Sequence, residues 1–138
     1  MRDFAIELFD KWAALWSGDL ALGQEILAPK LTLRYAQPGA SVYDEIHDPQ
    51  TFVEQIELFR SERPGLRYAA QGIPVVEIDS ARSGLIARPY GARRPGPDGE
   101  LNLSGTDILR FEEGEIVEVW SVSGGAQGRS FYPDAVGA

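Results

Sequence analysis

One carboxyl stands where the sequence pattern asks for an apolar side chain. Alternation through residues 101–111 puts Leu101, Leu103, Asp107, Leu109 and Phe111 on one face of a strand. Burial in such a row disfavours the charged form, so the Asp107 carboxyl should titrate above the usual range and serve as a proton carrier or a hydrogen-bond donor. The competing reading is a partly wet strand acid paired with an arginine. Around it, Tyr35 could donate to a carbonyl or simply pack. Arg88 could point inward or pair with a carboxylate. His47 is the sole histidine of the chain and a weaker proton-transfer candidate, standing just ahead of a helix start in a surface loop. Trp12 and Trp16 suit a helix core, and equally the wall of a pocket for a planar or polycyclic ligand.

Other chemistries find little material. Cysteine is absent, which removes a disulfide framework, a thiol nucleophile and thiolate metal sites. One histidine and no HExxH or EF-hand spacing leave no metal centre to expect, and no G-x-S-x-G elbow is present. No cofactor is expected. The 13 basic and 21 acidic residues give a net charge of −8 with no basic stripe, which argues against nucleic acid as a partner. No apolar run approaches the roughly 20 residues of a membrane span, and MRDFAIELF lacks the regions of a signal peptide, so a cytoplasmic protein with no membrane partner is expected.

The elements that must position these residues fall into two halves of a single domain over 1–138. Phe4, Leu8, Trp12, Leu15 and Trp16 recur at helical spacing, with Ala5 and Phe9 widening the stripe. Gly18 suits the helix end, and Asp19 a cap for a short second helix over about 20–27, closed by Pro29. LTLRYA reads as a strand, followed by a loop with Pro38 and Gly39. Asp48-Pro49 starts a third helix presenting Phe52, Val53, Ile56 and Phe59, which stops before Pro64-Gly65. From Leu66 onward LRYAAQGIPVVEID, SGLIARPY, LNLSGTDILRF and EIVEVWSV read as strands, with Pro74 and Pro89 at strand ends or bulges. Helices first and antiparallel strands afterwards predict an α+β fold, with three helices packed on the concave side of a curved, mainly antiparallel sheet.

A turn centred on Glu113 and Gly114 pairs Phe111 with Ile116 and Asp107 with Trp120, making Trp120 a pocket wall. Ile108, Val117 and Val119 then make the opposite face largely apolar, and a homodimer is the simplest cover for it. WSVSGGAQG opens a flexible tail from about residue 124, whose Phe131 and Tyr132 could dock at a pocket mouth or a dimer edge.

Three stretches carry a resemblance: WAALWSGD from Trp12 to Asp19, FVEQIELFRSERPGLR from Phe52 to Arg67, and the G-x-D-x-x-R-F-E-x-G-x-I-x-E-x-W pattern ending at Trp120. Together they resemble the NTF2-like superfamily, most closely its SnoaL-like polyketide cyclase branch, over nearly the whole chain to about Val122. The resemblance implies a cone-shaped α+β barrel around a pocket. It also implies that Asp107 is the acid/base of an intramolecular aldol closure on a hydrophobic substrate, a polyketide or another cyclic carbonyl compound. In the related ketosteroid isomerases the aspartate of this position is a protonated oxyanion donor. Their general-base aspartate falls here at about Tyr35, so the cyclase role fits better than the isomerase one. Trp12, Trp16, Tyr35, Phe59, Arg88 and Trp120 are the expected pocket residues. The alternatives are an isomerase, dehydratase or epoxide hydrolase on the same scaffold, and a non-catalytic, dimeric ligand-binding module.

Overall fold

The computed structural model describes residues 2–133. Helix α1 (Arg2–Trp16) buries Leu8, Phe9, Trp12, Leu15 and Trp16, the stripe its spacing predicts. Helix α2 (Leu22–Ile26) is shorter than expected and is capped without Asp19: the residue before it is Ala21, which makes no side-chain cap bond. Strand β1 (Leu27–Tyr35) begins directly at its end, so Pro29 lies inside the strand rather than closing a helix. It is accommodated where the register of β1 shifts, between Leu27 and Thr32, so its missing N–H interrupts no regular ladder. The Pro38-Gly39 segment leads into a 3₁₀ turn at Ala40–Glu45. Helix α3 (Pro49–Ser61) starts as its sequence dictates, with the Asp48 carboxylate accepting the Thr51 N–H at 3.0 Å.

The strands are β2 (Arg67–Ala70), β3 (Val75–Ser80), β4 (Ser83–Gly96), β5 (Gly99–Glu112) and β6 (Glu115–Ser123). They form one six-stranded sheet in the order β1-β6-β5-β4-β2, with β3 also on β4. Among the described residues only the β1–β6 contact is parallel. The predicted strand 66–79 is two strands, because the chain breaks at Gln71–Pro74 while pairing with β4 on both sides of the break. Pro89 is neither a strand end nor a bulge. It sits mid-strand in β4 opposite Thr106, and its carbonyl accepts the Gln71 N–H at 2.8 Å, so the side lacking a donor faces the gap between β2 and β3. β4 also runs on through RRPG, beyond the strand SGLIARPY that the sequence predicts.

The β5–β6 turn is centred on Glu113 and Gly114, both at positive φ (51° and 82°), as a two-residue I′ turn requires. Phe111 pairs with Ile116 as expected, but the next pair is Arg110 with Glu118, which leaves Val117 as an extra residue on β6. Beyond this bulge every partner moves by one. Asp107 faces Ser121, and Trp120 faces Ile108 on the outer side of the sheet. Val119 turns inward and is fully buried. The outer face is therefore less apolar than the sequence suggests, since Glu118 there binds Arg34 at 2.6 Å and Arg110 at 3.0 Å.

The helices lie on the inner face, and the core joins Phe9, Leu15, Phe52, Ile56, Ile86, Leu109, Phe111 and Val119. Ser17 pins the end of α1 to β2, its hydroxyl accepting the Tyr68 N–H at 2.8 Å. Arg60 of α3 donates to the carbonyls of Trp16 and Leu66, binding the ends of both long helices to the start of the sheet. No helix among the described residues is long and apolar enough to cross a membrane.

Candidate functional site

Between the helices and the inner face of the sheet lies a cavity of about 470 Å³, a size ordinary for a small-molecule site. Its aromatic wall includes Trp12, Trp16, Tyr35, Tyr43, Phe59 and Tyr68. Trp16 is the hub: its ring meets Phe59 edge-on at 5.6 Å and Tyr68 at 5.7 Å, while Tyr35 and Tyr43 stack 4.3 Å apart. Such contacts hold the wall in a defined shape, each worth roughly 0.5–1.5 kcal/mol beyond simple burial.

Asp107 enters this wall from the middle of β5 and is only 6% exposed. Its Oδ2 accepts the Trp12 indole N–H at 2.8 Å, while Oδ1 has no hydrogen-bond partner. Burial pushes the carboxyl up to about 6. The hydroxyl of Ser121, directly across the ladder, and the Trp12 indole oppose that rise by favouring the charged form. The same burial acts in the opposite functional sense on the neighbouring phenols. Tyr35 and Tyr68 are held well above their usual value, chiefly by burial and further by the Asp107 charge, and Tyr90 is raised by the same two causes. Near neutral pH the cavity thus contains an ionisable carboxyl surrounded by tyrosines that keep their protons.

Tyr90 explains the glycine of the G-x-D pattern. Its ring lies over Gly105, where a Cβ would collide with the phenol hydroxyl. The Ser121 and Ser123 hydroxyls favour the ionised form of the Tyr90 phenol and so work against the burial that raises it. The segment after β6 completes the mouth: Gly125, Ala126 and Gly128 line the cavity. Ser104 anchors that segment twice, donating its N–H to the Arg129 carbonyl at 2.8 Å and accepting the Phe131 N–H on its hydroxyl at 2.9 Å. The segment from about residue 124, expected to be a flexible tail, is thus tied to β5 at Ser104; residues 134–138 lie outside the described residues.

The structure brings Asp107, Trp12, Trp16, Tyr35 and Phe59 to one cavity. Three other candidates stand elsewhere. The Val117 bulge turns Trp120 outward, so it is not a pocket wall. Arg88 shares the inner face with Asp107, but its guanidinium reaches past the cavity to the carbonyls of Gln71 and Gly72, at 3.3 and 3.2 Å. His47 is exposed beside β1, its Nδ1 3.1 Å from the Leu31 carbonyl and its own carbonyl accepting the Leu31 N–H. Sequence reasoning missed Tyr43, Tyr68 and Tyr90. The period-two row Ile86, Arg88, Tyr90, Ala92, Arg94 would have found Tyr90, because it is the row that faces Leu109 through Leu101. Tyr43 comes from a 3₁₀ turn that carries no such signal.

No protein-family model and no curated protein sequence matches the chain. Solved structures do. A candidate polyketide cyclase from Acidithiobacillus ferrooxidans superposes with a TM-score of 0.69 at 18% identity, covering 86% of each chain. Wild-type IdmH, a candidate polyketide cyclase from Streptomyces antibioticus, gives 0.68 at 18% identity, covering 85% of this chain and 89% of its own. A candidate isomerase of the SnoaL-like family from Agrobacterium tumefaciens gives 0.62 at 21% identity, covering 87% and 97%. Helices packed on one face of a curved, unclosed sheet are what these likenesses rest on, and at such identities the likeness is one of fold: the chain has the α+β cone fold of these SnoaL-like and cyclase-like structures.

Proposed function

We propose that the protein is a cofactor-independent acid/base enzyme acting on a carbonyl compound, of the polyketide cyclase type. One observation carries the reading: a buried carboxyl with an unpartnered oxygen stands among neutral tyrosines in an aromatic cavity. With its carboxyl at about 6, Asp107 is largely ionised at neutral pH and close enough to it to give a proton back, the balance that general acid/base catalysis requires. Its carboxylate takes a proton from the carbon beside the substrate carbonyl. The C–H electron pair moves to the carbonyl oxygen, and the enolate is held by a tyrosine O–H, the kind of preplaced donor that stabilises developing negative charge. The enolate carbon then attacks a second carbonyl of the same molecule, forming the ring C–C bond. The resulting alkoxide takes the proton from Asp107, which restores the carboxylate. The aromatic wall holds the substrate folded, so two reacting carbons of one molecule meet without a bimolecular encounter.

The neighbouring solved structures support this choice among the chemistries available to the scaffold, two of the three being described as cyclases. A fold alone does not fix a reaction, so the test is proton transfer itself. In D₂O, the protein should accelerate deuterium exchange beside the ketone of 1-tetralone above the buffer rate, and Asp107→Asn should return it to background. Full exchange in Asp107→Asn removes Asp107 from the mechanism. Binding without exchange for any ketone tried favours a ligand-binding module.

A further inference from the structure

Two arginines line the cavity without a carboxylate partner. Arg94 belongs to the inner-face row of β4, opposite Leu101 and towards the open end of the sheet from Tyr90. Arg63 follows α3, its guanidinium 3.8 Å from the centroid of the Phe59 ring and donating to the Phe59 carbonyl at 3.1 Å. Neither makes an ion pair among the described residues, although the chain carries an excess of eight negative charges and Arg34, Arg93 and Arg110 are all paired with glutamates. Both are half-buried, which holds their charge in a less polar setting than open water. The Arg63 charge reaches the cavity interior, where it works against the burial that raises the Tyr43 phenol to about 12 and holds the Tyr68 phenol well above its usual value. The acid at this rim is Glu62, which is exposed and paired with neither arginine.

We infer that the cavity takes a substrate with two chemical ends: a carbonyl-bearing apolar body directed towards Asp107, and a carboxylate received at the mouth by Arg63 and Arg94. A planar carboxylate suits guanidinium forks, and charge-assisted hydrogen bonds of this kind are about twice as strong as neutral ones. Asp107 itself would repel an anion at depth, so the two charges orient the molecule with its carboxylate outward. This rests on the reading of the cavity as a substrate site, and it adds the class of substrate: aromatic or polycyclic keto acids rather than neutral ketones or esters.

Calorimetric titration with 2-naphthoate and its neutral counterpart 2-naphthamide at pH 8 separates the cases. The protein should bind the carboxylate at least tenfold more tightly than the amide. Arg94→Gln and Arg63→Gln should each reduce that preference several-fold with little change for the amide, and Arg63→Lys should recover part of it. Far-ultraviolet circular dichroism checks that each variant is folded. Equal affinity for both probes, no binding of either at millimolar concentration, or a preference that survives Arg63→Gln/Arg94→Gln overturns the inference. Asp107→Asn should retain the carboxylate preference or increase it. In the parent protein, a carboxylate preference with no deuterium exchange would sink the catalytic reading alone, and exchange without preference would sink this one alone.

Discussion

The indole N–H of Trp12 donates to Oδ2 of Asp107 across 2.8 Å, a bond between the first helix and the fifth strand, 95 residues apart in sequence. It turns one carboxylate oxygen towards the helix layer and leaves the other without a partner. Because this bond favours the charged form, removing it should raise the carboxyl beyond about 6. In Trp12→Phe the acidic limb of the pH–rate profile, or of the exchange rate, should move to higher pH by up to about one unit, the scale of a lost hydrogen bond of ~1 kcal/mol. An unmoved limb would show that the indole does not tune the carboxyl.

Asp107 should also reduce the stability of the fold at neutral pH. An acid whose pKa rises from 3.8 to about 6 on folding holds its proton more firmly in the folded state. Its contribution to stability is therefore complete below pH 3.8 and is lost as pH climbs through 6. At pH 7.5 the ionised form costs on the order of 2–3 kcal/mol. Asp107→Asn, which can still accept from Trp12, should raise the urea midpoint at pH 7.5 and lose that advantage near pH 4. A variant no more stable than the parent at pH 7.5 would contradict the buried, ionised carboxylate.

Gly105 and Tyr90 should behave as one unit. Gly105→Ala places a methyl group into the phenol and should cost roughly 1–3 kcal/mol as an overpacked contact. Combining it with Tyr90→Leu removes the collision, so the two changes should fall short of additive by a measurable coupling in denaturant melts. Strict additivity would mean that the ring does not rest on the glycine.

The chain is further proposed to be a homodimer, covering the outer-face residues Ile108 and Trp120 together with Val122, which is 50% exposed. Light scattering at micromolar concentration should give twice the chain mass, and Trp120→Glu should reduce it to one. A parent protein that is monomeric under those conditions removes the proposal.

Much of this was legible from residue order, and the failures share a cause. The α1 stripe, the Asp48 cap, the Glu113-Gly114 turn and the inward row through Asp107 all follow from patterns within a dozen residues. The rise of the Asp107 carboxyl was readable for the same reason, since alternation alone placed it among apolar neighbours. Trp120 went wrong because one extra residue, Val117, shifts every later pairing, and nothing local marks a bulge in GEIVEVW. Arg88 went wrong through contacts made outside its own strand, with the carbonyls of Gln71 and Gly72. The tyrosine set comes from a 3₁₀ turn and two strands, and only their convergence identifies it.

The Val117 bulge decides more than a register. With Val117 deleted, β6 would present Trp120 to Asp107 in place of Ser121, replacing a small hydroxyl with an indole. A single codon gained or lost at Val117, which does not line the cavity, can therefore redraw the cavity wall and reset the acidity of its carboxyl. Such a change gives evolution, or a protein engineer, a route to new substrates that leaves Asp107 itself unaltered.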